Sequence, residues 1–360
     1  ALPASGGRAC AIGHGRAEHM GKLVCVTGGA GYIGVVLVEQ LVERGYHVRV
    51  LDRFFWGHVG LDRLPNVELI SRDVREMQDS DLDGVDAVCH LAGLSNDPTA
   101  DLDPNANWQM NMVATKELGE ACIRMGVKRL TFGSSGSIYD GLASSEVLDE
   151  DAPVKPIGPY SESKYEAERQ LLEESKRGLD VVILRQGTVG GYSRRMRYDL
   201  VVNTFLKDAL LKKQLFLHDG GNMWRPLVDV MDVGLAHIAC IEAPASAVAG
   251  RIFNVVQDNY QIKQLAATDA EAVKPLIGDI AITSVPATGR MRDYRASNAR
   301  LTEAVGFTPA RTPLDSVASI LEHMGEIDVQ DLLNPRHYNL RWMQILSETH
   351  EQQKGFDRVF

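Results

Sequence analysis

Beyond Lys22 the chain alternates short apolar runs with longer stretches in which apolar residues recur every three or four positions. The runs are "KLVCVTGG" (22–29), "HVRVLD" (47–52), "VELIS" (67–71), "AVCHLAG" (87–93), "RLTFGSS" (129–135) and "VVILRQG" (181–187). They are apolar throughout, which is the pattern of strands buried on both faces. Helix-like stretches at 32–44, closed by Gly45, at 105–125 and at 160–177 separate most of them. Strand and helix in turn predict an α/β fold, a doubly wound parallel sheet with helices on both sides. Past residue 188 the alternation loosens into a helix at 199–213, a strand at 215–218, a helix at 229–243, the strand "RIFNVV" and further helices. Neither a repeat nor a low-complexity linker interrupts it. The expected division is a sheet domain over 20–188 and a smaller α/β lobe over 189–360, with room for the chain to cross back to the sheet.

A chain of 360 residues, 44% hydrophobic and 24% charged, can bury a large core. Its formal net charge of −10 argues against nucleic acid or an anionic membrane as partner. An anionic ligand would need a local cluster of arginines. The cysteines Cys10, Cys25, Cys89, Cys122 and Cys240 are scattered, and Cys25 and Cys89 sit inside strand-like runs. Buried thiols in a reducing compartment are therefore expected, hence a cytoplasmic location. No metal site is expected. No run approaches the ~18 consecutive apolar residues of a membrane span. Residues 1–19 read as a vector-derived or disordered leader before Met20.

The first run ends in "TGGAGYIG" (27–34), which spaces Gly28, Gly31 and Gly34 as G-x-x-G-x-x-G. Glycine there permits a tight turn and lets backbone N–H groups approach a pyrophosphate. The start of the next helix adds free N–H donors and partial positive charge. The second run ends in Asp52, whose carboxylate suits the ribose hydroxyls of NAD and repels a 2′-phosphate. The competing reading is a Gly-rich turn capped by Asp52. Arg53, next door, keeps NADP open as the lesser option.

This spacing and the motifs after it resemble the extended branch of the short-chain dehydrogenase/reductase superfamily, the NAD-dependent nucleotide-sugar epimerases and dehydratases. The resemblance runs from Lys22 to about Tyr338. It implies a Rossmann-type NAD-binding domain over 20–188 and a mainly substrate-binding lobe over 189–360. Tyr32 and Ile33 join the glycine loop in its cofactor set. Asp73 in "SRDVRE", with Val74 beside it, matches the acidic residue at the adenine amino group. "HLAG" (90–93) brings Leu91, Ala92 and Gly93 over the cofactor, whereas His90 is expected to pack or cap. Asn111 in "WQMNMVATKEL" matches the structural asparagine of the central helix. Thr188 is expected at the nicotinamide carboxamide end. "FGSSGSIYD" (132–140) supplies the catalytic hydroxyl Ser135 and a second, substrate-facing one, Ser137. "PYSESKYEAE" (159–168) supplies Tyr160 and Lys164.

The implied chemistry needs a base for a sugar hydroxyl. A free tyrosine, with a pKa of about 10, serves poorly at neutral pH. An ammonium one helical turn away and the positive nicotinamide ring would both favour tyrosinate. Lys164 would also bond the nicotinamide ribose, and Ser135 would share the developing charge on the sugar oxygen.

Departures from neighbouring families narrow the reaction. Related 4,6-dehydratases carry an Asp-Glu pair where Gly136 and Ser137 stand here. The glutamate of sugar-acid decarboxylases is absent from that segment, as is the cysteine of 3,5-epimerases. What remains is oxidation and reduction at one carbon, most simply C4 of a nucleotide diphosphate sugar. A 4-epimerase with bound NAD is favoured by Asp52; an NAD(P)H-dependent 4-ketoreductase is the alternative. A non-catalytic NAD(P)-binding regulator is a third reading, against which the retained Tyr160 and Lys164 argue.

For the substrate, Arg225 in "WRPLVDVMDV" and Arg292 in "MRDYRASNARLTEAVGF" match the family's phosphate contacts. "YSRRMRYDLVVN" (192–203) offers Arg195 and Asn203, and Ser95 and Asn96 follow the fourth strand as sugar contacts. Relatives pair through helices matching 105–125 and 160–177, which implies a homodimer. The tail beyond Tyr338 shows no readable chemistry; it is expected to cover the substrate lobe or join a partner subunit.

Overall fold

The computed structural model describes residues 21–142, 146–287, 291–326 and 329–356; the expected leader 1–19 and Cys10 lie outside the described residues. Leu23–Thr27, His47–Asp52, Val67–Ser71, Ala87–His90, Arg129–Ser135, Asp180–Gln186 and Arg251–Val255 form one sheet. Every pairing in it is parallel. In space the strands run seventh, sixth, fifth, fourth, first, second, third. This is a Rossmann-type doubly wound sheet. Its order reverses between the first and fourth strands, and at such a point a crevice opens outside the carboxyl ends.

The apolar runs are explained by burial on both sides. Cys25, Val88 and Leu130 pack with Leu118, Ala121, Ala167 and Leu171 on one face. Val24, Val26 and Cys89 pack with Val35, Leu37 and Ile238 on the other. Successive strand residues point to opposite faces, so each run has to be apolar throughout. The thiols of Cys25, Cys89, Cys122 and Cys240 are free and buried, and burial raises their pKa.

The helix expected at 105–125 is built in three pieces: Pro104–Trp108, a π turn at Gln109–Val113 and Ala114–Met125. The widened turn carries Asn111. After Gln186 the chain serves two structures. Arg251–Val255 extends the main sheet beside Asp180–Gln186. Thr188–Gly190, Trp224–Asp229 and Asp258–Gln261 form a separate three-stranded sheet, which the loosened pattern did not disclose. Val202, Leu206, Leu265, Val273, Val317 and Ile320 form a core in this half, which Tyr32 and Val36 of the first helix join.

Candidate active site

The glycine loop is held by backbone contacts that no side chain could share. Gly28 has φ of 72°, and a Cβ on it would lie 2.7–2.9 Å from backbone atoms of Leu91 and Ala92. A Cβ on Gly34 would fall 2.2 Å from the Gly28 carbonyl oxygen. The helix Tyr32–Glu43 starts with no side-chain cap and no acidic residue in its first turn. Its leading N–H groups and positive end are thus free for an anion.

Two hollows of about 680 and 700 Å³ meet at this loop and share Gly28, Gly31, Leu91, Gly93, Ser95, Trp56 and Asn339. The first extends to Asp52, Arg53, Val74, Ala92 and Met343. The second extends past Tyr32, Ile33 and Gly34 to Ser134, Tyr160, Lys164, Arg195 and Arg197. A backbone cradle that excludes Cβ atoms, an uncapped helix start and an elongated cleft together fit a dinucleotide.

Asp52 both caps and lines. Its carboxylate accepts from Ala30 N at 3.0 Å and Phe54 N at 2.8 Å, and burial raises its pKa. Asp73 is gripped by Arg75 through Nε at 3.0 Å and Nη2 at 2.6 Å, with Arg53 3.0 Å away. Burial works against its charge, but Arg75 carries the carboxyl below its ordinary value. Asp73 is therefore spent on arginines, while its neighbour Val74 lines the hollow.

At the other end, Tyr160 and Lys164 lie one turn apart on the helix Pro159–Ser175. The sequence suggested that Lys164 lowers the tyrosine's pKa, and the structure arranges the charges differently. The Lys164 ammonium donates to the Gly133 carbonyl at 3.0 Å and sits 4.6 Å from the Phe132 ring centroid. Burial pulls it down to about 8, against the pull of Glu168. Burial likewise pushes the Tyr160 phenol up. The nearby Ser135 hydroxyl and the charges of Arg292 and Arg197 oppose this without overcoming it. The cations acting on the phenol are thus arginines from the second half of the chain.

Ser135 Oγ accepts from Ser137 N at 3.2 Å. The Ser137 hydroxyl is buried and has no hydrogen-bond partner. Asn111 is fully buried and does not line either hollow. Its Oδ1 accepts from Leu94 N at 2.9 Å, and its Nδ2 donates to Leu94 O at 2.9 Å and Asn107 Oδ1 at 2.7 Å. It fixes the loop of Gly93–Ser95 in place of touching a cofactor. His90 packs between Thr27 and Thr115 hydroxyls at 2.6 and 2.8 Å; burial drives its pKa down to about 3, so it stays neutral.

The expected substrate contacts divide. Arg225 is half-buried and donates to the Trp224 carbonyl at 2.9 Å. Arg292 pairs with Asp97 and lies 3.7 Å from Asp140. No acid beside Tyr160 was foreseen, yet the Asp97 charge reaches the phenol and raises its pKa. Ser95 lines both hollows, its hydroxyl accepting from Arg197 at 3.2 Å and Asn339 at 2.7 Å. Asn203 is not a substrate contact here. It is fully buried, accepting from Gly191 N at 3.1 Å and donating to Arg197 O at 2.8 Å and Tyr32 Oη at 3.2 Å. Asn96 is the cap of the helix Asp97–Leu102, accepting from Thr99 N at 3.1 Å. Thr188 begins a short strand opposite Leu227 and lines neither hollow. Arg195, expected at the substrate, lies in the hollow of the glycine loop.

The sequence model of the NAD dependent epimerase/dehydratase family matches residues 24–255. The chain belongs to this family. It is similar to the UDP-glucose 4-epimerase of Corynebacterium glutamicum, 28% identical over 81% of this chain and 92% of that one. It is also similar to UDP-glucuronic acid decarboxylase 1 of Xenopus tropicalis, 29% identical over 69% of this chain and 62% of that one. Among solved structures, MoeE5 in complex with UDP-glucose and NAD superposes with a TM-score of 0.71 at 27% identity, covering 84% of this chain and 98% of that one. An NAD-dependent epimerase/dehydratase of the extended short-chain dehydrogenase/reductase type is thus what the motifs implied.

Several residues of this family member's cleft escaped the sequence reading. Trp56, Asn339 and Met343 line it, and Trp342 Nε1 donates to the Phe55 carbonyl at 2.8 Å. No motif marks them, because the C-terminal helix meets the loop of Phe55 and Trp56 only in the folded chain. Among the described residues, no helix is long and apolar enough to cross a membrane, and no His/Cys/Asp/Glu group could hold a metal.

Proposed function

We propose that this family member interconverts a nucleotide diphosphate sugar and its C4 epimer with NAD held in the cleft. One observation carries the reading: Tyr160 and Lys164 line the same hollow as the Gly28–Gly34 loop, with Ser135 acting on the phenol. When bound, NAD supplies a hydride acceptor and, in its oxidised form, a positive charge.

The protein's residues do the proton work. Burial keeps the Tyr160 phenol protonated at rest, and Ser135, Arg292 and Arg197 offset part of that burial. With added positive charge it accepts a sugar hydroxyl proton, and afterwards returns it. Ser135 supports the same sugar oxygen, and the unpartnered Ser137 hydroxyl offers the sugar a further bond. Lys164, anchored on Gly133, fixes the helix register and the ribose. Arg225 and Arg292 take the diphosphate, with Asp97 orienting Arg292. Asp52 selects NAD over NADP, and Val74 borders the adenine. On this reading residues 20–188 carry the cofactor and 189–360 mainly the substrate.

The test is direct. Denaturing the purified protein should release near-stoichiometric NAD. A protein that carries none, takes up NADPH and reduces a nucleotide-4-keto-sugar would make it a reductase.

A further inference from the structure

We propose that Arg195, stacked on Trp56 and braced by Asn339, clamps the pyrophosphate of the dinucleotide from the second half of the chain and slows its release. This rests on the NAD reading above.

A buried guanidinium is costly unless an anion meets it. Arg195 is only 4% exposed. Its own bonds go to neutral acceptors: Nη1 donates to Met196 O at 3.4 Å and Nη2 donates to Asn339 Oδ1. Its buried Nε has no partner. Arg197, two residues on, is different, because Asp199 takes both its arms at 2.8 and 3.0 Å. Arg195 thus has no carboxylate bonded to it; the charges of Asp199 and Asp52 act on it only through space.

Its plane is fixed. The guanidinium carbon lies 4.0 Å from the Trp56 ring centroid, and stacking of this kind leaves the N–H edge as the reactive face. The Trp56 indole N–H is buried and also lacks a partner. Both residues line the hollow that holds Gly31 and the uncapped start of the helix Tyr32–Glu43. Donors without acceptors therefore converge there from two separate stretches of chain. A doubly charged, oxygen-rich group satisfies all of them, and the pyrophosphate is the part of a dinucleotide with that chemistry.

The brace explains slow release. Asn339 Nδ2 donates to Ser95 Oγ at 2.7 Å, and Trp342 ties the same C-terminal helix to Phe55, next to Trp56. Moving Arg195 off an anion would disturb this set of bonds.

The experiment compares wild type with Arg195→Met, Arg195→Lys and Asn339→Ala. Release of NAD from each purified protein is followed by tryptophan fluorescence after dilution, and UDP affinity is measured by calorimetry. Arg195→Met should release NAD about 10- to 100-fold faster, the value of a charge-assisted bond. Arg195→Lys should fall between, because an ammonium cannot fork; it also serves if the methionine variant does not fold. Asn339→Ala should speed release less. UDP affinity should stay at the wild-type value in all three. Wild-type release rates in both Arg195 variants would overturn the clamp. So would a loss of UDP affinity with unchanged NAD release, which would return Arg195 to the substrate. A wild type that binds no dinucleotide would remove the NAD reading and the clamp together.

Discussion

The two sides of the cofactor cleft are built on different principles. The N-terminal side acts through backbone: Gly28 and Gly34 leave no room for a Cβ, and the helix start presents bare N–H groups. The C-terminal side acts through side chains, with Arg195, Arg197 and Asn339 buried in contact with one another or with Ser95. The first side is a local consequence of a few consecutive residues. The second exists only once distant segments meet. The backbone side should therefore tolerate no substitution, while the side-chain side should be tunable step by step.

The largest effect expected is chemical. Tyr160→Phe should lower kcat by about 10²- to 10⁴-fold, the usual worth of general acid–base catalysis, while bound NAD stays at its wild-type level. Steady-state kinetics and NAD content check this together; lost NAD with preserved kcat would mean the phenol belongs to binding alone. Gly34→Ala should strike the backbone side. Its Cβ would sit 2.2 Å from the Gly28 carbonyl oxygen. A cost of about 1–3 kcal/mol is expected for such overpacking, seen as a lower Tm and empty protein.

Much of the fold could be read from sequence because the signals were local. Unbroken apolar runs such as "AVCH" required burial on both faces, and Gly28, Gly31, Gly34, Tyr160 and Lys164 declared themselves by spacing. What could not be read was pairing over distance. Arg195 and Arg197 stand in one "RRMR" run, yet one is neutralised by Asp199 and the other faces the cleft. Asn339 reaches Arg195 across 144 positions. Asn203 looked like a ligand contact at the head of a helix, but Gly191, Arg197 and Tyr32 use up its amide. Lys164 stood at the right spacing to tune Tyr160, and only its bond to Gly133 shows where its charge is directed.

Arg292→Ala sharpens the comparison from the substrate end. Nucleotide-sugar binding should weaken by about 10- to 100-fold, with NAD release unchanged. Because Arg292 helps hold the Tyr160 pKa down, its loss should also move the rising limb of the rate–pH profile to higher pH. An unmoved limb would show that the two do not communicate.

The smallest effect is on stability. In the folded protein Lys164 loses its proton near pH 8, against 10.5 ordinarily. Between those values the unfolded chain binds more protons, so this residue's contribution to stability rises with pH across the window. Urea unfolding at stepped pH should show that rise in wild type and a smaller one in Lys164→Met. Identical slopes would contradict the burial of the ammonium.

The most direct test of the central claim is to incubate the purified protein with each of several nucleotide diphosphate sugars, without added cofactor, and follow the C4 proton by NMR. Conversion to the C4 epimer, with no net consumption of the retained NAD, is the result predicted here. A sugar unchanged at C4 while another carbon is eliminated, decarboxylated or inverted would contradict it.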